Sequence, residues 1–200
     1  MILENYFWVA EGVLPKRICD DLVSYGESQV QQLGYTGDFE ANNLDENDLS
    51  KLYKTRNSNI IWMNEPWITN AILPIVDEAN KAANWNFSLE EHESCQWTKY
   101  GPEQHYTWHA DAFPKPWSDP KSNLYGLTRK LSVTVSLIEG NTYEGGDLEF
   151  EINNKIYTCV AARTIGSVSV FPSFVRHRVC PVKKGTRYSL VIWCNGKPFV

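Results

Sequence analysis

Four residues of this chain have types and spacing that point to chemistry. His109 and Asp111 stand two apart in HYTWHADAF, His177 lies in FPSFVRHRVCPV, and Arg187 comes ten residues after His177. On an extended strand, positions i and i+2 point to the same face, so His109 and Asp111 face one way. That face can hold a metal ion, or no more than a hydrogen bond. The pair alone decides little; His177 and Arg187 add the weight. Two histidines and a carboxylate make the facial triad of non-haem Fe(II) oxygenases, which leaves coordination positions open. Arg187 opens the apolar run RYSLVIW. A basic residue inside such a strand is costly to bury without an anion, and a planar guanidinium grips a carboxylate with two parallel donors. His105 and His109 have the i, i+4 spacing of a helical zinc pair, but Gly101-Pro102 and the aromatic alternation around them favour extended chain. His92, in EEHES, reads as a surface residue.

The elements that must position these residues lie mostly after Ser94. CQWTKY, KLSVTVSLI, GDLEFEI, KIYTCVA, SVSVFP, HRVCPV and RYSLVIW are short β-rich runs separated by turns such as YGPEQ, EGNTYEGG, INNK and KKGT. Strands at this spacing suggest a jelly roll. The first third reads helical. Ile18, Leu22, Tyr25, Val30 and Leu33 fit one helix face, with Pro15 in the first turn and Gly34 as the stop. GDFEANNLDENDLSK reads as a loop and NSNIIWM as a short strand. From Pro66 to Ala83 a helical spacing returns, with a kink or a break expected at Pro74. The apolar faces of these helices need covering, most simply by packing on the outside of one sheet. The expected organisation is a single domain over 1–200, with mostly helical support in 1–93 and a jelly-roll catalytic core in 94–200.

Composition narrows the class. The chain has 200 residues, a net charge of −5, and 13% aromatics with eight Trp and ten Tyr. The acidic balance argues against a large nucleic-acid footprint, which needs a basic stripe. Five cysteines without a CxxC pattern read as reduced thiols of a cytoplasmic protein. No run reaches transmembrane length, and MILENYFWVAEG lacks the basic start and long apolar run of a signal peptide.

A longer series surrounds the four residues. Tyr100-Gly101 and Tyr106 precede His109-x-Asp111. Arg129-x-x-Ser132, Thr134, Ser136 and Gly145-Gly146-Asp147-Leu148 come after it, and Phe171-Pro172, His177, Arg187 and Trp193 close the series. In this order, over residues 94–195, they resemble the 2-oxoglutarate- and Fe(II)-dependent dioxygenases, and within them the prolyl 4-hydroxylase-like group with its bacterial and viral members. The resemblance implies a mainly β fold: a double-stranded β-helix, or jelly roll, flanked by supporting α-helices. It implies Fe(II) held by His109, Asp111 and His177, and 2-oxoglutarate with its distal carboxylate on Arg187. O2 would be the oxidant, with ascorbate among the cofactors, and 2-oxoglutarate would be decarboxylated to succinate and CO2. Tyr100 resembles the family tyrosine near the cosubstrate. Thr134 or Ser136 would donate to it, since both alternate with Val133, Val135 and Leu137. Retention of Asp111 favours hydroxylation, because halogenating relatives carry a small residue there.

The stretch 112–128 lies straight after the proximal ligands, carries Trp117 and Tyr125, and corresponds to a loop that covers the substrate in prolyl hydroxylases. Trp117, Tyr125 and Trp193 are therefore the expected substrate contacts. The expected partner is a proline-containing peptide, hydroxylated on its side chain. Three alternatives stand beside this one. The first is a free amino acid or other small substrate. The second is oxidative nucleobase demethylation, disfavoured because Trp193 stands where those relatives carry a second arginine. The third is a non-redox jelly-roll binding module, which would not need Arg187.

Overall fold

The computed structural model describes residues 5–35 and 45–199. Its architecture arises from an alternation in three central strands. Thr128–Ser136 turns Leu131, Val133 and Val135 to one face and Ser132, Thr134 and Ser136 to the other, all buried. Arg187–Gly196 does the same, with Leu190, Ile192 and Cys194 against Arg187, Ser189, Trp193 and Asn195. Cys95–Tyr100 sets Cys95 and Trp97 against Gln96, Thr98 and Tyr100. A sheet with two buried faces is ordinarily apolar on both. Here one buried face is polar, which is tolerable only where hydrogen-bond partners or a bound polar ligand meet it.

The apolar face packs on helices α1 (Lys16–Ser28) and α3 (Pro66–Ala82). Leu22, Ile68, Ile72, Val76 and Ala79 join Val133, Val135, Leu190 and Ile192 in one core, as expected for helices lying outside one sheet. This eight-stranded sheet runs in the order Trp8–Ala10, Val168–Pro172, Thr128–Ser136, Arg187–Gly196, Cys95–Tyr100, Asn59–Met63, Gln32–Leu33, with Glu91–His92 paired to the long C-terminal strand. A second sheet orders Lys155–Thr158, Leu148–Ile152, Arg176–Val179, His105–His109 and Arg56–Asn57. The two sheets enclose a cleft of about 740 Å³ lined from both sides. At one end Phe150, Phe171 and Leu148 close the sandwich, with Phe7 stacked on Phe150 at 4.6 Å. The result is the double-stranded β-helix with supporting helices.

The N-terminal third differs from the expectation in three places. α1 stops at Ser28 rather than Gly34: Val30 is exposed, and Leu33 is drawn into the edge strand Gln32–Leu33, whose ladder to Asn59 and Ile60 replaces helical hydrogen bonds. Helix α2 (Glu46–Thr55) occupies part of the stretch read as loop; the rest of that stretch, up to residue 44, lies outside the described residues. Its N-cap Asp45 accepts from the Asp48 amide at 2.8 Å, and Glu46 and Asp48 favour the positive end of the helix. α3 continues as one helix through Pro74, because the face Ile68, Ile72, Val76 and Ala79 is anchored in the core. No helix among the described residues is long and apolar enough to cross a membrane.

Candidate active site

Backbone pairing brings the distal histidine to the proximal pair. His177 stands opposite His109 in the ladder between Arg176–Val179 and His105–His109. Asp111 comes just past the strand end, where its amide donates to the Ser173 carbonyl at 2.8 Å. His109 Nε2 lies 3.5 Å from Asp111 Oδ1, and His177 Nε2 lies 3.5 Å from Asp111 Oδ2. These separations are too long for good hydrogen bonds, so the three groups converge on one point without satisfying each other. His109 Nδ1 donates to the Thr107 carbonyl at 2.8 Å, and His177 Nδ1 to the Val175 carbonyl at 3.0 Å. Those bonds fix the tautomer and leave both Nε2 lone pairs facing Asp111.

Burial raises the Asp111 carboxyl, but the facing His177, His109 and Arg129 outweigh it and hold the group well below the usual carboxylate range. Burial pulls the His177 imidazole down to about 4, with His109 pushing the same way and Asp111 opposing. Near neutral pH the site therefore presents a carboxylate and an unprotonated His177 nitrogen, as a divalent cation requires. Among the described residues, these three are the one cluster of metal-ligating side chains.

Deeper in the cleft, Arg187 is 2% exposed. Its Nη1 donates to Ser189 Oγ at 3.1 Å, and its guanidinium stands 5.5 Å from the Tyr100 ring centroid. Its Nη2 is buried with no partner. A buried guanidinium with an idle donor in a cleft is a receptor for an anion.

A family model described as the 2OG-Fe(II) oxygenase superfamily matches residues 95–195. The chain belongs to that superfamily. A PKHD-type hydroxylase of Pseudoalteromonas atlantica is 34% identical over 98 residues, which is 49% of this chain and 41% of that protein; the chain spans less than half the length of this relative. The viral collagen prolyl hydroxylase of Paramecium bursaria Chlorella virus-1 superposes with a TM-score of 0.66 at 18% identity, over 96% of this chain and 97% of that one. A Trichoplax adhaerens prolyl hydroxylase, solved with a hypoxia inducible factor peptide fragment, gives 0.65 at 16% identity over 96% and 84%. These structural likenesses show a shared fold.

Members of this superfamily use Fe(II), 2-oxoglutarate and O2, and the donor set fits them. Two imidazoles and one ionised carboxylate suit Fe(II), and the idle Arg187 Nη2 suits the distal carboxylate of the cosubstrate. Tyr100 and Thr134 line the same cleft. Ser136 does not: its hydroxyl is used on the Ala162 carbonyl, at the far end of its strand. Ser189 lines the cleft instead. Trp193 and Trp117 line the cleft, whereas Tyr125 is 59% exposed and outside it. His105 points elsewhere, to the Glu103 and Lys54 carbonyls, and makes no zinc pair with His109. His92 is half-buried beside a smaller pocket next to Trp117 rather than fully exposed.

One network was not legible in the motifs. Arg129 donates from Nε and Nη2 to both oxygens of Glu93, at 2.6 and 2.5 Å, and from Nη1 to the Asp111 carbonyl at 3.3 Å. Its guanidinium lies 4.0 Å from the Trp193 ring centroid and 4.4 Å from that of Phe113. Asn195 donates to Glu93 and accepts from Trp117 Nε1. The network thus ties the loop after Asp111 to the sheet and holds the backbone of a triad residue.

Proposed function

We propose that this chain is a 2-oxoglutarate- and Fe(II)-dependent hydroxylase of proline side chains in peptides. The observation that carries the reading is the aromatic lining of the cleft that holds the triad. Trp62, Phe113, Trp117 and Trp193 line this cavity of about 740 Å³. Such a wall suits the apolar ring of proline, and the volume is ample for more than a free amino acid, within the usual range for ligand sites.

When bound, Fe(II) and O2 supply the oxidation that couples 2-oxoglutarate decarboxylation, to succinate and CO2, with placing one oxygen atom in a substrate C–H bond. The chain's own residues do the positioning. Arg187 grips the distal carboxylate through Nη2, and Ser189 holds the other arm of the fork. Trp193, stacked on Arg129, forms a stiff platform beside Asp111. Trp117 is held over the cleft by its bond to Asn195 and by backbone bonds to Leu127 and Gly126. The aromatic wall excludes water from the reacting carbon.

One observation favours a second reading, a small substrate bearing a carboxylate. Arg56, 5% exposed, also lines the cleft, and among the described residues its hydrogen bonds go only to neutral groups: Ser58, Gln96 and the Tyr35 carbonyl. The test is a panel of proline-containing peptides and free amino acids incubated with Fe(II), 2-oxoglutarate and O2. The reading expects succinate together with a hydroxylated peptide. Hydroxylation of a free acid with no peptide modified replaces the first reading by the second.

A further inference from the structure

Arg163 lies outside the cleft, yet one guanidinium gathers a whole turn that ends against Arg187. Its Nη1 donates to the Gly145 carbonyl at 2.9 Å and to Asp147 Oδ1 at 2.6 Å. Its Nη2 donates to the carbonyls of Gly140, at 2.6 Å, and Tyr143, at 2.9 Å. The same group stands 4.6 Å from the Tyr143 ring centroid. Four acceptors within eight residues of sequence leave segment 140–147 little freedom.

The segment contains Gly145 and Gly146, with φ of +73° and +65°. Gly146 is where it meets the cosubstrate receptor. A methyl group there would lie 3.1 Å from Arg187 Cδ, 3.0 Å from Val182 Cγ2 and 3.3 Å from Tyr143 Cε2. Val182 and Tyr143 are themselves buried. The stem of Arg187 is therefore walled by a turn whose own position is set by Arg163. Arg187 lines the cleft, and this wall bounds its stem.

We infer that Arg163 is a positioning residue: by clamping segment 140–147 against the Arg187 stem it sets the reach from guanidinium to triad, and so the chain length of the oxo-diacid accepted. This rests on the reading of Arg187 as the 2-oxoglutarate receptor. A receptor held in a packed wall cannot follow a longer or shorter diacid, whereas a receptor released from it can. The clamp thus favours the five-carbon acid over its homologues.

The test uses the full chain loaded with Mn(II), and titration calorimetry with 2-oxoglutarate and with the six-carbon 2-oxoadipate. In Arg163→Gln, 2-oxoglutarate binding should weaken by roughly 10-fold, about 1.4 kcal/mol, and the preference for the five-carbon acid should shrink. Mn(II) affinity alone should stay at the wild-type value, because the triad is untouched. Gly146→Ala, which crowds the Arg187 stem directly, should also shrink the preference, and it carries the test if Arg163→Gln does not fold. An unchanged ratio of the two dissociation constants in a folded variant, even with a lowered melting temperature, overturns the inference and leaves Arg163 a structural clamp. Failure of the wild-type Mn(II) protein to bind 2-oxoglutarate at all overturns the underlying reading instead.

Discussion

Removing the carboxylate of Glu93 leaves a buried cation without its counter-ion. The side chains of Glu93 and Arg129 are 8% and 11% exposed, and they share two short bonds, with Asn195 adding a third to the carboxylate. In Glu93→Ala the guanidinium keeps only a 3.3 Å bond to the Asp111 carbonyl and its aromatic contacts with Trp193 and Phe113. Breaking a buried pair from one side costs about 3–5 kcal/mol, against roughly 0–1 kcal/mol for an exposed pair. For a chain of this size that is a fall in melting temperature of about 6–20 °C. The double replacement Glu93→Leu with Arg129→Met removes both charges, so most of the lost stability should return. Thermal and urea unfolding of wild type, the single variant and the double variant measure this directly. The double variant should still release succinate from 2-oxoglutarate without substrate, while hydroxylation falls, because the platform under Trp193 is gone. A cost below ~1 kcal/mol for Glu93→Ala, or a double variant no more stable than the single, would mean that the pair behaves as an exposed one.

The packing and the site set three further outcomes. Arg187→Ala should weaken 2-oxoglutarate binding about 10- to 100-fold, with Arg187→Lys in between because charge stays and the fork is lost; equal affinities in calorimetry would place the receptor elsewhere. Gly26→Ala sets a methyl 2.2 Å from the Trp97 ring, and overpacking of about 1–3 kcal/mol should outweigh a helix-propensity gain of at most ~1 kcal/mol, so urea unfolding should show a net loss. Burial pushes the Cys95 and Cys194 thiols from 9.0 up to about 12 and Cys19 to about 11. These thiols should resist iodoacetamide at pH 8 until the chain unfolds. Their folded pKa values lie above the unfolded one, so their contribution to stability is complete below pH 9 and is lost as pH rises toward 12; alkylation as fast in the native as in the unfolded chain would contradict that burial.

The β half and the triad were legible because their signals are local. Period-two alternation marks strands such as KLSVTVSLI, and His109, Asp111, His177 and Arg187 each sit in a strand or beside one. α2 was not legible, since it buries only Leu52 fully and its acidic sequence looks like solvated loop. Spacing alone carries α1 too far, because Leu33 keeps a helical spacing yet pairs as a strand. Ser136 shares the cleft-facing parity of Thr134, but its distance along the strand carries it past the cleft to Ala162, and periodicity reports parity, not depth. Tyr125 lies in the same loop as Trp117, but loop sequence does not say which aromatic turns inward. The Glu93–Arg129 pair joins residues 36 apart, and no local pattern links them.

His109, Asp111 and His177 are expected to hold one Fe(II) ion beside the Arg187 receptor. The decisive measurement is an anaerobic Fe(II) titration of wild type and of His109→Ala, Asp111→Ala and His177→Ala, with a succinate assay on admitting O2. Wild type should bind one Fe(II) per chain and convert 2-oxoglutarate to succinate, and each variant should lose both while remaining folded. Any single variant that still binds Fe(II) at wild-type affinity and releases succinate at the wild-type rate would contradict the assignment.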